Sequence, residues 1–185
     1  SWGAAAHQPF LAGGNDAFLV KFDGNGNRLW VTYYGGPGED YVYSVATNAS
    51  NNVFLAGHTL STSGIASGGF QNTFGGGTLW GDAFLVKFDA TGNRLWATYY
   101  GGTNNEEGLS VATDASNNVF LAGDTYSPTN IATADGYDIS ITGTENEYVA
   151  KFDANGNRIC ATYYGNLHDE DGKTAVDASG NVYLG

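Results

Sequence analysis

The chain has 185 residues, only 14% of them charged, and a formal net charge of −12 from 7 basic and 19 acidic side chains. That balance disfavours binding to nucleic acid or to an anionic membrane surface, and no apolar run reaches the length of a membrane span. With 14% aromatic residues, 28 glycines and no methionine, the composition suits a turn-rich β protein better than a helical one.

The first predicted elements are two strands in residues 16–36, DAFLVKFDGNGNRLWVTYYGG. In the first, Phe18, Val20 and Phe22 alternate with Ala17, Leu19 and Lys21; in the second, Leu29, Val31 and Tyr33 alternate with Trp30, Thr32 and Tyr34. Both faces carry apolar groups, so both faces have to be covered. Between the strands Asp23, Asn25, Gly26 and Asn27 form a tight hairpin turn, with Gly26 free to adopt positive φ. A second strand pair follows in residues 41–57, YVYSVATNASNNVFLAG, joined by an Asn/Ser-rich turn at 48–52. A long connection, 59–81, separates it from a close copy of the first pair at 82–102 and of the second pair at 107–123. After another long connection, 125–145, come a diverged copy at 146–166 and a short one at 172–185. Lys21 recurs as Lys87 after 66 residues and as Lys151 after a further 64, and Arg28, Arg94 and Arg158 keep the same period. Only Lys173 falls outside this scheme, so the basic side chains belong to the repeated plan. Self-similarity at a fixed spacing marks an array.

Four short antiparallel strands, covered on both faces and repeated in tandem, meet the requirements of a β-propeller blade. The fold expected is all-β, built of four-stranded antiparallel sheets in about three repeats of 63–66 residues. The order DAFLVKFD-x-x-GN, TYYGG, VATDASNNVFLAG resembles the bacterial β-propeller repeat abbreviated SBBP. The resemblance covers nearly the whole chain and implies a propeller within a secreted or surface-exposed bacterial protein, without catalytic residues. The third repeat departs from it by losing its Trp and one loop residue. By the same resemblance the small-residue strand SVATNAS lines the central channel, NVFLAG comes second, DAFLVKFD third and NRLWATYY outermost. The chain then divides into an outer half-blade (16–36), two blades (41–101 and 107–165) and an incomplete inner half-blade (172–185). Three blades fall short of the four to eight or so of a closed propeller, and exposed strand edges invite partners. The ring is expected to be completed by the remainder of a longer chain or by further copies of this one. A start at Ser1 and a stop within a strand at Gly185 favour the longer chain.

Candidate sites are few. Asp23, Asn25 and Asn27, and again Asp153, Asn155 and Asn157, have the spacing of the start of a calcium loop. Arg28 and Tyr34 stand where such a loop needs Gly and Glu, so these are read as turns. The loops following the outermost strands carry Glu39 and Asp40, Glu106 and Glu107, and Asp169, Glu170 and Asp171, expected near the axis on one rim. There they could hold Ca²⁺ or attract a basic partner, although a solvated rim is the favoured reading. Cys160, the lone cysteine, stands at the repeat position of Trp30 and Trp96 and is expected to be a buried spectator thiol. His168 beside Asp169 makes no catalytic pair, and His7 and His58 are assigned to unrelated loops. The paired tyrosines are expected to pack between blades. Trp80, in a Gly-rich loop, is the candidate exposed ligand-binding aromatic.

The function expected is a non-enzymatic extracellular or cell-surface scaffold that displays loops or assembles through blade edges. One alternative is a carbohydrate- or protein-binding module using loops 59–81 and 125–145. Another is a propeller enzyme, lyase- or glycosidase-like, which requires a carboxylate pair or a His/Tyr/Arg group at the channel mouth.

Overall fold

A computed structural model describes residues 7–165 and 172–185. Among them are twelve strands and no helix: β1 (Ala17–Phe22), β2 (Arg28–Tyr34), β3 (Asp40–Thr47), β4 (Val53–Thr59), β5 (Asp82–Phe88), β6 (Arg94–Tyr100), β7 (Ser110–Thr113), β8 (Val119–Thr125), β9 (Asn146–Phe152), β10 (Arg158–Tyr164), β11 (Thr174–Val176) and β12 (Val182–Leu184). They form two four-stranded antiparallel sheets, ordered β3-β4-β5-β6 and β7-β8-β9-β10, flanked by the two-stranded sheets β1-β2 and β11-β12. Strand order follows chain order within each sheet, which is the build of propeller blades.

Each hairpin turn is closed by its Asp. Asp23 Oδ1 accepts the amides of Asn25 and Asn27 at 2.9 and 2.8 Å, and Asn27 Nδ2 donates to Oδ2 at 2.9 Å. These donors, the Asn27 side chain foremost, hold the Asp23 carboxyl below its usual range. The same closure recurs at Asp89 and Asp153, so the oxygens expected of a turn are spent on the turn.

Period-two alternation decides the stacking. From the first complete sheet Phe54, Ala56, Leu85, Trp96 and Tyr100 face the second, where they meet Val119, Leu121, Tyr148, Ala150 and Phe152. Its other face presents Leu55, Phe84, Val86, Phe88 and Tyr99 to Ala17 and Tyr34 of the β1-β2 sheet. Each large apolar side chain buried this way contributes roughly 1.5–3 kcal/mol. The small residues of the first strand in each sheet let these strands approach side by side. Ser44 Oγ accepts the Val111 amide at 3.1 Å, and Ser110 Oγ accepts the Thr174 amide at 2.9 Å.

Neighbouring sheets are also clamped at their turns. Lys87 Nζ and Trp96 Nε1 both donate to the Ala154 carbonyl, at 2.8 and 3.0 Å, and Lys21 and Trp30 repeat this on Ala90 at 2.9 and 3.1 Å. Lys21 and Lys87 are therefore blade-to-blade fasteners, and Lys87 and Lys151 lie over the rings of Phe54 and Phe120.

Candidate functional site

The acidic candidates separate into unlike environments. Asp40 and Glu106 are fully buried, not rim residues. Asp40 accepts hydrogen bonds from Thr59 Oγ1, from Ser61 Oγ at 2.8 Å and from the Gly36 amide at 2.8 Å. Glu106 repeats the arrangement with Thr125 Oγ1 at 2.8 Å and the Gly102 amide at 3.0 Å. Asp82, also buried, accepts the amides of Gly75 and Gly76 at 2.7 and 3.0 Å and Gln71 Nε2 at 3.0 Å. Burial outweighs these donors and pushes Asp82 up to about 6 and Glu106 up to about 7. A Cβ on Gly101 would lie 2.8 Å from the Asp82 carboxyl carbon and would collide with Glu106 Oε2, which is why glycine follows β6 directly. Both carboxylates thus take hydroxyl and amide donors from their own loops. Among the described residues no three His, Cys, Asp or Glu side chains converge. Asp169, Glu170 and Asp171, like His168, lie outside the described residues; Glu39 is exposed and accepts from Tyr41 Oη at 3.0 Å.

Glu107 and His58 meet across two sheets. His58 belongs to β4 rather than to a loop, and only 5% of it is exposed. Its Nδ1 lies 2.9 Å from Tyr43 Oη and 3.3 Å from Glu107 Oε1, to which Tyr43 Oη also donates at 2.9 Å. Burial alone would raise the Glu107 carboxyl, but the His58 and Tyr43 donors hold it below its usual range. This cluster is a joint between sheets. Its sequence signal was a departure from the repeat: His58 stands where the next copy has Asp124, and Tyr43 where it has Leu109.

The loops are pinned as firmly as the strands. Gln71 takes the Gly101 amide on Oε1 at 3.2 Å while its Nε2 reaches Asp82, and Gln8 does the same for Gly35 and Asp16. The repeated Gln-to-Asp relation was hidden by loops of unequal length. Asn105 Oδ1 gathers the amides of Thr78, Leu79, Trp80 and Gly81 at 3.0–3.3 Å. That fixes the loop carrying Trp80, whose half-buried indole rests on Tyr126 with centroids 5.7 Å apart. A cleft of about 370 Å³ opens between sheets, lined by Phe70, Asn72, Thr73, Thr103, Asn130 and Arg158. Arg158 covers the Phe70 ring at 4.2 Å and donates to the Ile131 carbonyl at 2.8 Å.

Among the described residues two sheet faces have no sheet packed on them. Phe18 and Phe22 of β1 are 62% and 58% exposed, whereas their repeat equivalents Phe84, Phe88, Tyr148 and Phe152 are 0% exposed. On the opposite end Tyr164 is 54% exposed, against 1% and 0% for Tyr34 and Tyr100. Cys160 is half-buried, not buried as expected. It lines a cleft with Phe120, Tyr137, Val149 and Lys151, on the face that no further blade covers among the described residues. Lys151, without a neighbouring turn to clamp, lies 3.7 Å from Asp114.

No family model matches the chain. An uncharacterized WD repeat-containing protein of Acanthamoeba polyphaga mimivirus is 25% identical over 120 residues, covering 61% of this chain. The chain spans only 8% of that relative's length. The likeness agrees with the blade architecture seen here: an all-β, propeller-type repeat protein of four-stranded antiparallel sheets.

Proposed function

We propose that this chain is a non-enzymatic interaction scaffold: its sheets hold loops in fixed places and its open blade faces take up further blades. One observation carries the reading. The same aromatic positions are sealed where a neighbouring sheet exists and more than half exposed where none lies among the described residues, and an apolar face of this kind marks an interaction surface. The likeness to a WD repeat protein supports a role in protein–protein contact. The resemblance to the SBBP repeat supports a bacterial protein acting at or outside the cell surface. The scaffold reading also accounts for the carboxyl pair of Asp82 and Glu106, which is buried inside loop fastenings.

Light scattering on the purified chain at micromolar concentration tests the reading. The expected result is a species heavier than the 19.4 kDa chain, lost when Phe18 and Phe22 are both replaced by Asp without loss of the β-sheet circular dichroism. A folded monomer at all concentrations would overturn it.

The cleft at Phe70 favours a second reading, a glycan- or peptide-binding module. It joins the Phe70 ring to the amides of Asn72 and Asn130, from loops 59–81 and 125–145, to the hydroxyls of Thr73 and Thr103 and to the guanidinium of Arg158 in β10. Binding on a glycan array that is abolished by Asn72→Ala with Asn130→Ala would establish it.

A further inference from the structure

We propose that the cleft at Phe70 binds one neutral sugar unit, held by the amides of Asn72 and Asn130 and the hydroxyls of Thr73 and Thr103. The proposal rests on the binding-module reading of this cleft and names its ligand.

The repeat supplies an internal comparison. Gln71 Nε2 donates to the Thr73 carbonyl at 3.1 Å, as Gln8 Nε2 does to the Phe10 carbonyl at 3.0 Å. Arg158 Nη1 donates to the Asn130 carbonyl at 3.2 Å, as Arg94 Nη1 does to the Gly64 carbonyl at 3.3 Å. One backbone frame thus carries Pro9, Phe10, Pro37 and Gly64 in the first copy and Asn72, Thr73, Thr103 and Asn130 in the next. Four residues without a hydrogen-bonding side chain give way to four that have one, all exposed and all on the wall of one cleft. The frame does not need them, because its own bonds are made in both copies. Among the described residues the side chains of Thr73, Thr103 and Asn130 make no hydrogen bond, and Asn72 makes one, donating to the Gly69 carbonyl at 2.9 Å. Asn130 also holds φ at 71° where Gly64 has 86°, a backbone cost that glycine avoids.

The electrostatics of the cleft point to an uncharged ligand. Among the described residues Arg158 is the one charged side chain on the wall. Its guanidinium is engaged over the Phe70 ring and on the Ile131 carbonyl, and Arg94 makes the equivalent bond to the Ile65 carbonyl at 3.1 Å. Behind the wall, Asp82 accepts the Gly75 amide and Glu106 the Gly102 amide, which with a net charge of −12 disfavours an anion.

Size and access point to a sugar rather than a peptide. A cleft of about 370 Å³ stands at the small end of ligand sites and suits a single ring. Strand addition is blocked here, because the loop already occupies the β6 edge. Ser67 and Ala97 exchange amide bonds at 2.8 and 2.9 Å, and the Tyr99 amide donates to the Gln71 carbonyl at 3.0 Å. Side-chain amides set a donor beside an acceptor, which matches adjacent hydroxyls on a sugar ring, while Phe70, 39% exposed, offers its C–H face an apolar surface.

Saturation-transfer NMR on the purified chain tests this, with methyl glycosides of glucose, galactose, mannose and N-acetylglucosamine as probes. At least one should bind with a dissociation constant of about 1 mM, as befits so small a ligand. Thr73→Phe with Asn130→Gly restores the residues of the first copy. It should weaken binding about tenfold and leave the β-sheet circular dichroism unchanged. If that variant melts early, Thr103→Val keeps the shape, removes one hydroxyl and should weaken binding about fivefold. Sugar binding that neither variant alters would overturn the proposal. Preference for methyl glucuronide, or for capped tripeptides over every sugar, would also overturn it and, if lost in Asn72→Ala with Asn130→Ala, leave the binding-module reading standing. Absence of binding by all three probe classes would overturn both.

Discussion

Gly26 and Gly156 hold the same place in two copies of one turn, with φ of 84° and 85°. Their surroundings differ. A Cβ on Gly156 would lie 2.7 Å from the Trp96 indole, whereas one on Gly26 would meet nothing within 4 Å. Gly26→Ala should therefore cost only the left-handed backbone penalty, about 1–2 kcal/mol. Gly156→Ala should cost a further 1–3 kcal/mol or so, because the indole must give way and its hydrogen bond to Ala154 with it. Urea denaturation of the two variants separates these terms. Equal losses would mean that the Trp96 clamp contributes nothing at the turn. The difference follows from the neighbouring sheet, since the turn sequence itself is nearly the same.

At the scale of the element, β2 and β6 leave their sheets through two glycines, where β10 is followed by Gly165 and Asn166, and in the first complete sheet Asp82 and Glu106 flank that exit. Burial holds their carboxyls at about 6 and about 7, above the ordinary 3.8 and 4.5. Between pH 4 and 7 or so the folded chain therefore binds more protons than the unfolded one. The free energy of unfolding falls as pH rises through that window and levels off above it. A loss of roughly 2 kcal/mol, about 4–8 °C in melting temperature, is expected between pH 5 and pH 8. Glu106→Gln should flatten the profile at a constant cost of about 1 kcal/mol, because an amide donates where the carboxyl accepts. Thermal melts across this range check it, and a melting temperature that climbs from pH 5 to pH 8 would contradict the assignment. The strands were legible beforehand because period-two alternation and the Asp-x-x-Gly-Asn turns are local, and because each pattern is written more than once. These carboxyl fastenings, the Gln71–Asp82 relation and the His58–Glu107 joint were not legible. They depend on which sheets become neighbours, and the loops that hide them differ in length from copy to copy. Cys160 departs from its expected burial for the opposite reason: its repeat position is sealed at Trp30 and Trp96, but among the described residues no further sheet lies over it.

For the molecule as a whole, stability and assembly use the same contacts. A blade is held by its neighbours through aromatic packing and through the Lys and Trp donors that meet on one turn carbonyl. In an array of this kind stability is roughly a sum over interfaces, so the interface that joins one molecule to the next is one more term of the same form. Cys160 is where that term is weakest. Its position supplies an indole donor to the next sheet's turn at Trp30 and Trp96, and a thiol is a shorter and weaker donor. Cys160→Trp should leave the fold of the isolated chain unchanged, since the position faces an open cleft. It should also tighten the association of this face with a further blade, adding one hydrogen bond of about 1 kcal/mol and the burial of an indole. A dissociation constant about tenfold lower is expected from sedimentation velocity over a dilution series. An unchanged or weaker association, with the melting curve intact, would mean that the blade interface seen twice within the chain is not the one used between chains.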